Sequence, residues 1–437
     1  MDSYTLPRPD MTNVNFSTLA QRYFDNRGAV ADYVASITYP KYLTWEKARF
    51  KPVPAGFTPE EAWILGRDLR TAQSTATPIT TPDGTTFSWV RLDYTDRLLN
   101  KFDLLLGGHL MSDRAKLSPS DTQRYLARGI LEEAIASSQL EGAIVTRKAA
   151  REMIAENRKP TTKDQWMILN NYEMMQKLTV LYKDIPLSRE LLFEMHRILA
   201  KNTMADEEIG RLRRDDEDIV VRSDDTIYYR PPAREFVSAQ LDRLIDYAND
   251  NSEDHFVHPI IKAIQLHFWI GLLHPFVDGN GRIARTIFFW HLLRNDYPWI
   301  TFIPISTAIK KSATSYGLSY VHAEQDNSDL TYFFDYHIRK LDQSLDGFVA
   351  YVERQRQENA AIDKKLASRA ILNDRQKQIV HYLSADQKNY ITVASHSTLN
   401  NISRITAKGD IDELRKLGVI FPIRMGIYIH YYAKPLD

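Results

Sequence analysis

Residues 274–285 read HPFVDGNGRIAR, and they sit between two strongly apolar runs, VHPIIKAIQLHFWIGLLHPF before and IARTIFFWHLLRND after. The first run is apolar on nearly every face, which predicts a central, buried helix and not one lying on a surface. The second predicts another apolar helix. Between them an aspartate, two arginines and a histidine crowd into one short loop. Charges packed between apolar helices need an anionic ligand or one another, because a lone buried charge is costly. The stretch argues for a mainly α chain, with chemistry at this loop.

Each residue type in the loop has a physical use. Gly279, Asn280 and Gly281 tolerate left-handed and otherwise strained backbone, so consecutive amide N–H groups can converge on one concavity. A helix expected to begin near Arg282 adds the partial positive charge of its N-terminus. Arg282 and Arg285 are three apart, share one face of the first turn, and can fork phosphate oxygens. Cations there oppose the macrodipole, so two of them point to an anionic partner. Asp278 is placed to hold Mg²⁺, which favours one or two carboxylates together with phosphates and water. His274 titrates near neutrality and could accept a proton from an attacking hydroxyl. Pro275 ends the preceding helix and sets the imidazole on a loop. Singly, these residues read as a turn, a structural histidine and an i,i+4 pair of Asp278 with Arg282. Together they read as a phosphate site. No P-loop or dinucleotide-binding glycine pattern competes with it.

The remaining sequence supplies the context. At 437 residues the chain exceeds one compact core, so two or three domains are expected. Lys+Arg and Asp+Glu both count 56, which argues against a generally basic nucleic-acid binder and leaves only a local patch. The absence of cysteine excludes disulfides, cysteine zinc sites and thiol nucleophiles. The start, MDSYTLPRPDM, lacks the basic-then-apolar order of a signal peptide, and no run is long enough to span a membrane. A cytoplasmic protein with no membrane partner is expected.

Residues 1–117 mix helical patches with Pro/Gly punctuation and a hairpin turn at Asp83-Gly84, and are expected to form an accessory domain. A second domain is expected over 118–352. It begins with the helical pattern SPSDTQRYLARGILEEAIASSQLEG, for which Ser120 or Asp121 is the candidate cap. Within it, IVVRSDDTIYYRPP (219–232) places two β-rich runs around Ser-Asp-Asp and predicts a hairpin. The polar run from Glu353, ERQRQENAAIDKKLASR, reads as a solvated helix or a linker, and the helix is expected. Residues 373–437 suggest short helices and then a strand pair, the order of a winged helix-turn-helix. Its basic Arg404, Lys408, Arg415 and Lys416 are interspersed with Asp410, Asp412 and Glu413, which leaves DNA, a partner protein or another copy of the chain open as its ligand.

HPFVDGNGRIAR resembles the signature of the Fic family, H-x-F-x-(D/E)-G-N-G-R-x-x-R. It matches at His274, Phe276, Asp278, Gly279, Asn280, Gly281, Arg282 and Arg285, and the similarity extends over residues 120–350. The resemblance implies a Fic helical core with a β-hairpin flap, which is expected between the N-terminal accessory region and the C-terminal winged helix. It implies transfer of AMP from ATP to a Ser, Thr or Tyr hydroxyl of a target protein. By the same resemblance His274 is the base, Phe276 pegs the loop to the core and Asp278 ligates Mg²⁺. Gly279, Asn280 and Gly281 would hold the α- and β-phosphates, and Arg282 and Arg285 the β- and γ-phosphates. The hairpin resembles the flap that clamps a target by strand addition, with Ile227, Tyr228 and Tyr229 as candidates. Doc-type kinases replace Gly-Asn-Gly and bind ATP reversed, so the intact Gly-Asn-Gly-Arg favours adenylyl transfer.

A second motif, SSQLEG (137–142), reads by itself as a helix end with a glycine C-cap. The Fic class with an N-terminal inhibitory helix carries (S/T)-x-x-x-E-(G/N), and Ser137, Glu141 and Gly142 are similar. That implies Glu141 pairs with Arg285 and blocks the seat of the γ-phosphate, since a carboxylate mimics phosphate for a guanidinium. The expectation is an autoinhibited protein adenylyltransferase that can also modify itself. Its enzyme rivals are transfer of another phosphate-containing group and removal of AMP. Its rival from another class is a winged-helix regulator that senses nucleotide, which would have no need of a base at His274.

Overall fold

Helices dominate, and their limits follow local chemistry. The computed structural model describes residues 3–107, 119–223, 225–250, 256–366, 372–385, 389–400, 402–426 and 428–434. The chain opens with α1 (Phe16–Asp25), α2 (Arg27–Thr38), α3 (Trp45–Ala48) and α4 (Pro59–Thr71), then the hairpin β1 (Thr75–Thr80) and β2 (Thr86–Trp89), then α5 (Asp93–Leu106). Helices α6 (Pro119–Leu140), α7 (Arg147–Ala155), α8 (Lys163–Lys177) and α9 (Arg189–Ala200) lead to a second hairpin, β3 (Val221–Ser223) and β4 (Thr226–Tyr229). Next come α10 (Arg234–Asn249), α11 (Pro259–Leu273), α12 (Asn280–Arg294), α13 (Ile305–Lys310), α14 (Ala313–Gln325) and the long α15 (Thr331–Leu366). The chain ends with α16 (Asp374–Ser384), α17 (Val393–Asn400), α18 (Arg404–Lys416) and the hairpin β5 (Ile420–Met425) and β6 (Tyr428–Ala433).

The first hairpin falls where its turn residues put it. Gly84 takes a positive φ between β1 and β2, which only glycine adopts without strain. α4 starts on a capping box of Thr58 with Glu61 and has Pro59 in its first turn. The polar run after Glu353 continues α15 as far as Leu366, as a solvated helix should. The expected boundary at 117–118 lies outside the described residues, and the first helical residue after it is Pro119. The caps proposed at Ser120 and Asp121 fall inside the first turn of α6, and their side chains lie outside the described set.

Burial sorts the chain into three apolar clusters. The largest contains the α11–α12 pair, with Trp269, Phe276, Phe288 and Trp290 fully enclosed. Burial of side chains this large is the main favourable term for folding. Within residues 1–117, Leu19, Tyr33, Ile37, Trp45 and Trp63 form a cluster of their own, whereas Ile79, Phe87, Leu92 and Phe102 join the main core. The third cluster gathers Ile379, Val380, Leu383, Ile411, Leu414, Ile420 and Tyr431 from α16, α18 and the last hairpin. This C-terminal unit rests on the core where α17 packs on α6 and α7. Tyr390 adds a hydrogen bond from its hydroxyl to Glu156 at 2.8 Å.

Two packing relationships position the site. α11 and α12 lie against each other along their length, joined by the short loop 274–279. α6 packs on α8 and α13 and also meets α12, which brings the end of α6 to the beginning of α12. Among the described residues no helix is long and apolar enough to cross a membrane.

Candidate active site

The loop between α11 and α12 is built from two left-handed residues. His274 ends α11 at φ 46°, ψ 57°, and Gly279 precedes α12 at φ 83°. With Gly279 in that conformation α12 begins at Asn280, two residues earlier than the apolar pattern suggests. Its first amides therefore face the loop. A left-handed histidine is uncommon and held at some cost, so neighbours must over-determine it. They do. Arg213 donates from Nε to His274 O at 2.8 Å, from its backbone N–H to Pro275 O at 2.9 Å, and from Nη2 to Pro232 O.

The loop's centre is pegged to the core. Phe276 is fully buried, and His196 of α9 lies flat on it, ring centroids 3.9 Å apart and nearly parallel. Nδ1 of His196 accepts from the Gly210 N–H at 2.9 Å, so Nε2 carries the proton and donates to Asp278 O at 3.0 Å. Burial pushes the His196 pKa down to about 4, which keeps it neutral for that double role. Asn280 closes a mutual pair with Phe276: its Oδ1 accepts from Phe276 N–H at 2.9 Å and its Nδ2 donates to Phe276 O at 2.8 Å. Its side chain is thus used within the loop, and only its backbone N–H is available to a ligand.

The charged residues have unequal surroundings. Arg282 is fully buried and donates from Nη1 at 2.7 Å to Leu199 O, a carbonyl at the end of α9 that also accepts from Asn170 Nδ2. Its Nε and Nη2, and Nη1 of Arg285, are buried without a hydrogen-bond partner. Buried donors left unpaired are rare and costly, and these flank the turn: Arg282 Nη2 is 3.1 Å from where a Cβ on Gly279 would stand, and Arg285 Nη1 3.1 Å from one on Gly281. Burial holds the Arg282 guanidinium below its ordinary value, with the carboxylates of Glu141 and Asp278 only partly offsetting it. Asp278 is 44% exposed at its side chain, accepts from Gly279 N–H at 2.6 Å through Oδ1, and keeps Oδ2 loosely facing Lys163 and Arg282, 3.9 Å from each. Among the described residues no cluster of three or more His, Asp or Glu could hold a metal alone. The donor set fits a magnesium that takes one carboxylate oxygen from Asp278 and completes its shell from phosphate and water. The unpaired guanidinium nitrogens fit the phosphates.

The second motif arrives from α6. Arg285 donates from Nε to Ser137 Oγ at 2.8 Å and from Nη2 to Ser137 O at 3.1 Å and to Glu141 Oε1 at 2.8 Å. Burial alone would lower the Arg285 pKa, but Glu141 and its other neighbours reverse that and hold it above its ordinary value. Gly142 takes φ 93° just beyond the helix, the conformation of a glycine C-cap. Glu141 also lies against the first turn of α12: a Cβ on Gly281 would stand 2.2 Å from Glu141 Oε1. The carboxylate thus occupies the concavity that the loop amides and the arginines surround.

His274 itself is partly buried beside this concavity. Burial pushes its pKa down to about 4, against a small upward pull from Glu141. The Gly271 carbonyl, which favours the protonated ring, also only partly offsets burial. The hairpin β3–β4 stands next to the loop, where Val277 shares a cavity of about 540 Å³ with Asp218, Val220, Arg222 and Ile227. Of the three flap candidates, buried Ile227 lines that cavity. Tyr229 turns inward and donates to Leu272 O at 2.6 Å, and Tyr228 stacks on Tyr4.

Sequence reasoning thus named residues that the fold brings together around one concavity: His274, Asp278, the Gly-Asn-Gly turn, both arginines, Ser137 and Glu141. It missed His196 and Arg213, which meet the loop from 82 and 61 positions away. No local pattern marks either one.

Comparison with known proteins adds independent observations. Residues 186–292 match the model of the Fic/DOC family, a segment that contains His196, Arg213, the hairpin and the whole loop. Protein adenylyltransferase fic-1 of Caenorhabditis briggsae is 37% identical over 79 residues, 18% of this chain and 15% of that protein. Protein adenylyltransferase Fic of Drosophila willistoni is 27% identical over 186 residues, 42% of this chain and 34% of that protein. The chain thus spans about a third or less of the length of these curated relatives. The crystal structure of a Fic family protein from Desulfovibrio desulfuricans G20 aligns with 79% of this chain and 97% of that one, at TM-score 0.49 and 16% identity. The loop, the residues that brace it and the matching family model agree: this chain carries a Fic domain.

Proposed function

We propose that this chain transfers AMP from ATP to a Ser, Thr or Tyr hydroxyl of a target protein, and that Glu141 holds it inhibited. The observation that carries the reading is the set of three buried guanidinium nitrogens on Arg282 and Arg285 that lack hydrogen-bond partners, beside the Gly-Asn-Gly turn that opens α12. Such donors suit the oxygens of a polyphosphate. Amides of Asn280 and Gly281 add a nest for the α- and β-phosphates, which the Gly279 N–H would join on leaving Asp278 Oδ1. Bound magnesium would neutralise phosphate charge and orient the leaving pyrophosphate, with Asp278 as its protein ligand. His274, neutral over the physiological range, takes the proton of the incoming hydroxyl as that oxygen attacks the α-phosphorus in line and pyrophosphate departs. The rest of the effect is positioning, supplied by the Arg213 and His196 braces.

Inhibition rests on Glu141, whose carboxylate engages Arg285 where a γ-phosphate would. The C-terminal helices and hairpin, read as a winged helix, rest on α6 and α7 and leave DNA, a partner protein or a second copy of the chain as their ligand. Incubation with α-labelled and γ-labelled ATP tests the reading. Label on protein from the α but not the γ position is expected. Label from γ would make the chain a kinase, and label from neither would leave a nucleotide sensor.

A further inference from the structure

The amino-terminal segment takes part in the flap, although neither motif refers to it. Ser3 pairs with Ile227 as a parallel bridge, and the Tyr4 N–H donates to Ile227 O at 2.8 Å. The Tyr4 ring stacks on Tyr228, the adjacent residue of β4, with centroids 4.9 Å apart. The same segment is tied to the body of the protein. Gln325, at the end of α14, donates from Nε2 to Tyr4 O at 3.0 Å and accepts from the Leu6 N–H through Oε1 at 2.9 Å. Leu6 then buries its side chain. A side-chain amide that satisfies one carbonyl and one N–H two residues apart fixes an extended strand.

These contacts change what the hairpin is. Two short strands alone are marginal in water, and a third strand with an anchored end makes a sheet. The edge that Tyr4 fills is that of β4. On the other side β3 is exposed at all three residues and, among the described residues, pairs only with β4. That side borders the cavity shared with Val277 of the catalytic loop.

We infer that Ser3–Leu6 is a built-in third strand of the flap, which fills the β4 edge and holds the hairpin in place over the catalytic loop. Tyr4 and Gln325 are then positioning residues for target docking. The inference rests on the proposed function for the flap's role, but the contacts themselves do not depend on it.

Hydrogen exchange on the full chain tests it. Tyr4→Pro removes both the N–H donor and the stacked ring. Amides of residues 221–229 should then exchange about tenfold faster, while those of α11 and α12 are unchanged. Gln325→Leu, which cuts the tie to the body, should act in the same direction. Tyr4→Phe keeps the N–H and the ring and should restore wild-type protection. The chain has no cysteine, so Tyr4→Cys combined with Tyr228→Cys can form only one disulfide, and oxidation should slow flap exchange again. Wild-type flap exchange in Tyr4→Pro would overturn the inference, and so would equal loss in Tyr4→Phe. ATP affinity, measured in a Glu141→Gly background, should be the same with and without Tyr4→Pro, because the segment touches no phosphate residue. A fall in affinity would mean general damage to the fold and would also overturn the positioning role. Absence of any ATP binding in Glu141→Gly would instead sink the proposed function and leave the flap result standing.

Discussion

Glu141 Oε1 lies 2.8 Å from Arg285 Nη2, and the same guanidinium donates to both the hydroxyl and the carbonyl of Ser137. The end of α6 is therefore fastened to the first turn of α12 through one side chain, which the proposed substrate also needs. A charge-assisted hydrogen bond of this kind contributes about 1.5–3 kcal/mol. Glu141→Gly should raise α-label transfer about tenfold to a hundredfold. Few substitutions at a helix end raise activity, so the gain is hard to obtain by accident. Adding Arg285→Ala should abolish it, because the freed guanidinium is what the γ-phosphate engages. Equal labelling by wild type and Glu141→Gly across ATP concentrations would leave SSQLEG as a helix end and nothing more.

His274 should behave as a base that is already neutral. Its pKa is pushed down to about 4 by burial, so it carries no charge from pH 8 down to about 5 and takes up its second ring proton only as pH falls toward 4. Nuclear magnetic resonance of the histidine ring protons in the free chain should give a midpoint far below the ordinary 6.5. Glu141 pulls the value slightly upward, so Glu141→Gly should move the midpoint down, not up. His274→Ala should abolish transfer and leave ATP affinity largely intact, since the base acts on the incoming hydroxyl. Wild-type labelling by that variant would remove the catalytic assignment.

Asp278→Ala should remove both transfer and its response to magnesium. Among the described residues its free oxygen forms ion pairs with Lys163 and Arg282, and neither cation can substitute as a ligand. A magnesium titration of ATP binding in Glu141→Gly, with and without Asp278→Ala, checks this apart from turnover. An unchanged titration would place the ion elsewhere.

His196 marks the limit of what the sequence alone discloses. The loop's residue types announce their chemistry because glycine freedom, guanidinium forks and a carboxylate act over a few positions. The turns at Asp83-Gly84 and around residues 223–226 were legible for the same reason. His196 looks like any histidine on an apolar helix, and Arg213 like one arginine of a charged run. Their roles exist only once α9 and the segment after it fold back onto residues 274–278. Tyr228 and Tyr229 illustrate the reverse case. Alternation along a strand gives the face of each residue but not which face meets the body, and Tyr229 proves to be an inward anchor.

The double role of His196 sets a measurable cost. His196→Leu keeps some stacking surface on Phe276 but leaves the Gly210 N–H and the Asp278 carbonyl without partners. Each buried group left unpaired costs about 1–3 kcal/mol, so a loss of about 2–5 kcal/mol in unfolding free energy is expected. The depressed pKa adds a pH signature. The unfolded histidine takes up a proton near 6.5, whereas the folded one resists until about 4, so its contribution to stability falls as pH drops through that window. Denaturant melts at pH 7 and pH 5 should therefore differ more for wild type than for His196→Leu. Equal pH sensitivity would mean that His196 is already charged in the fold.

Gly281 offers a test of the Glu141 position that needs no substrate. Its φ is not in the left-handed region, so alanine is conformationally acceptable there, and inside a helix alanine is favoured over glycine by up to about 1 kcal/mol. A Cβ at that position, however, would stand 2.2 Å from Glu141 Oε1 and 3.1 Å from Arg285 Nη1. Gly281→Ala should therefore push the carboxylate off its partner and destabilise the wild-type chain, the ion pair being worth more than the helix gain. In Glu141→Gly the main obstacle is gone, and the same substitution should be neutral or slightly stabilising. The two changes are thus expected to be non-additive, with a coupling of about 1–3 kcal/mol, as for residues in direct contact. Thermal melts of the four chains give that number directly. If the effects simply add, Glu141 does not rest on the start of α12 in solution, and the contact proposed to hold the chain inhibited is absent.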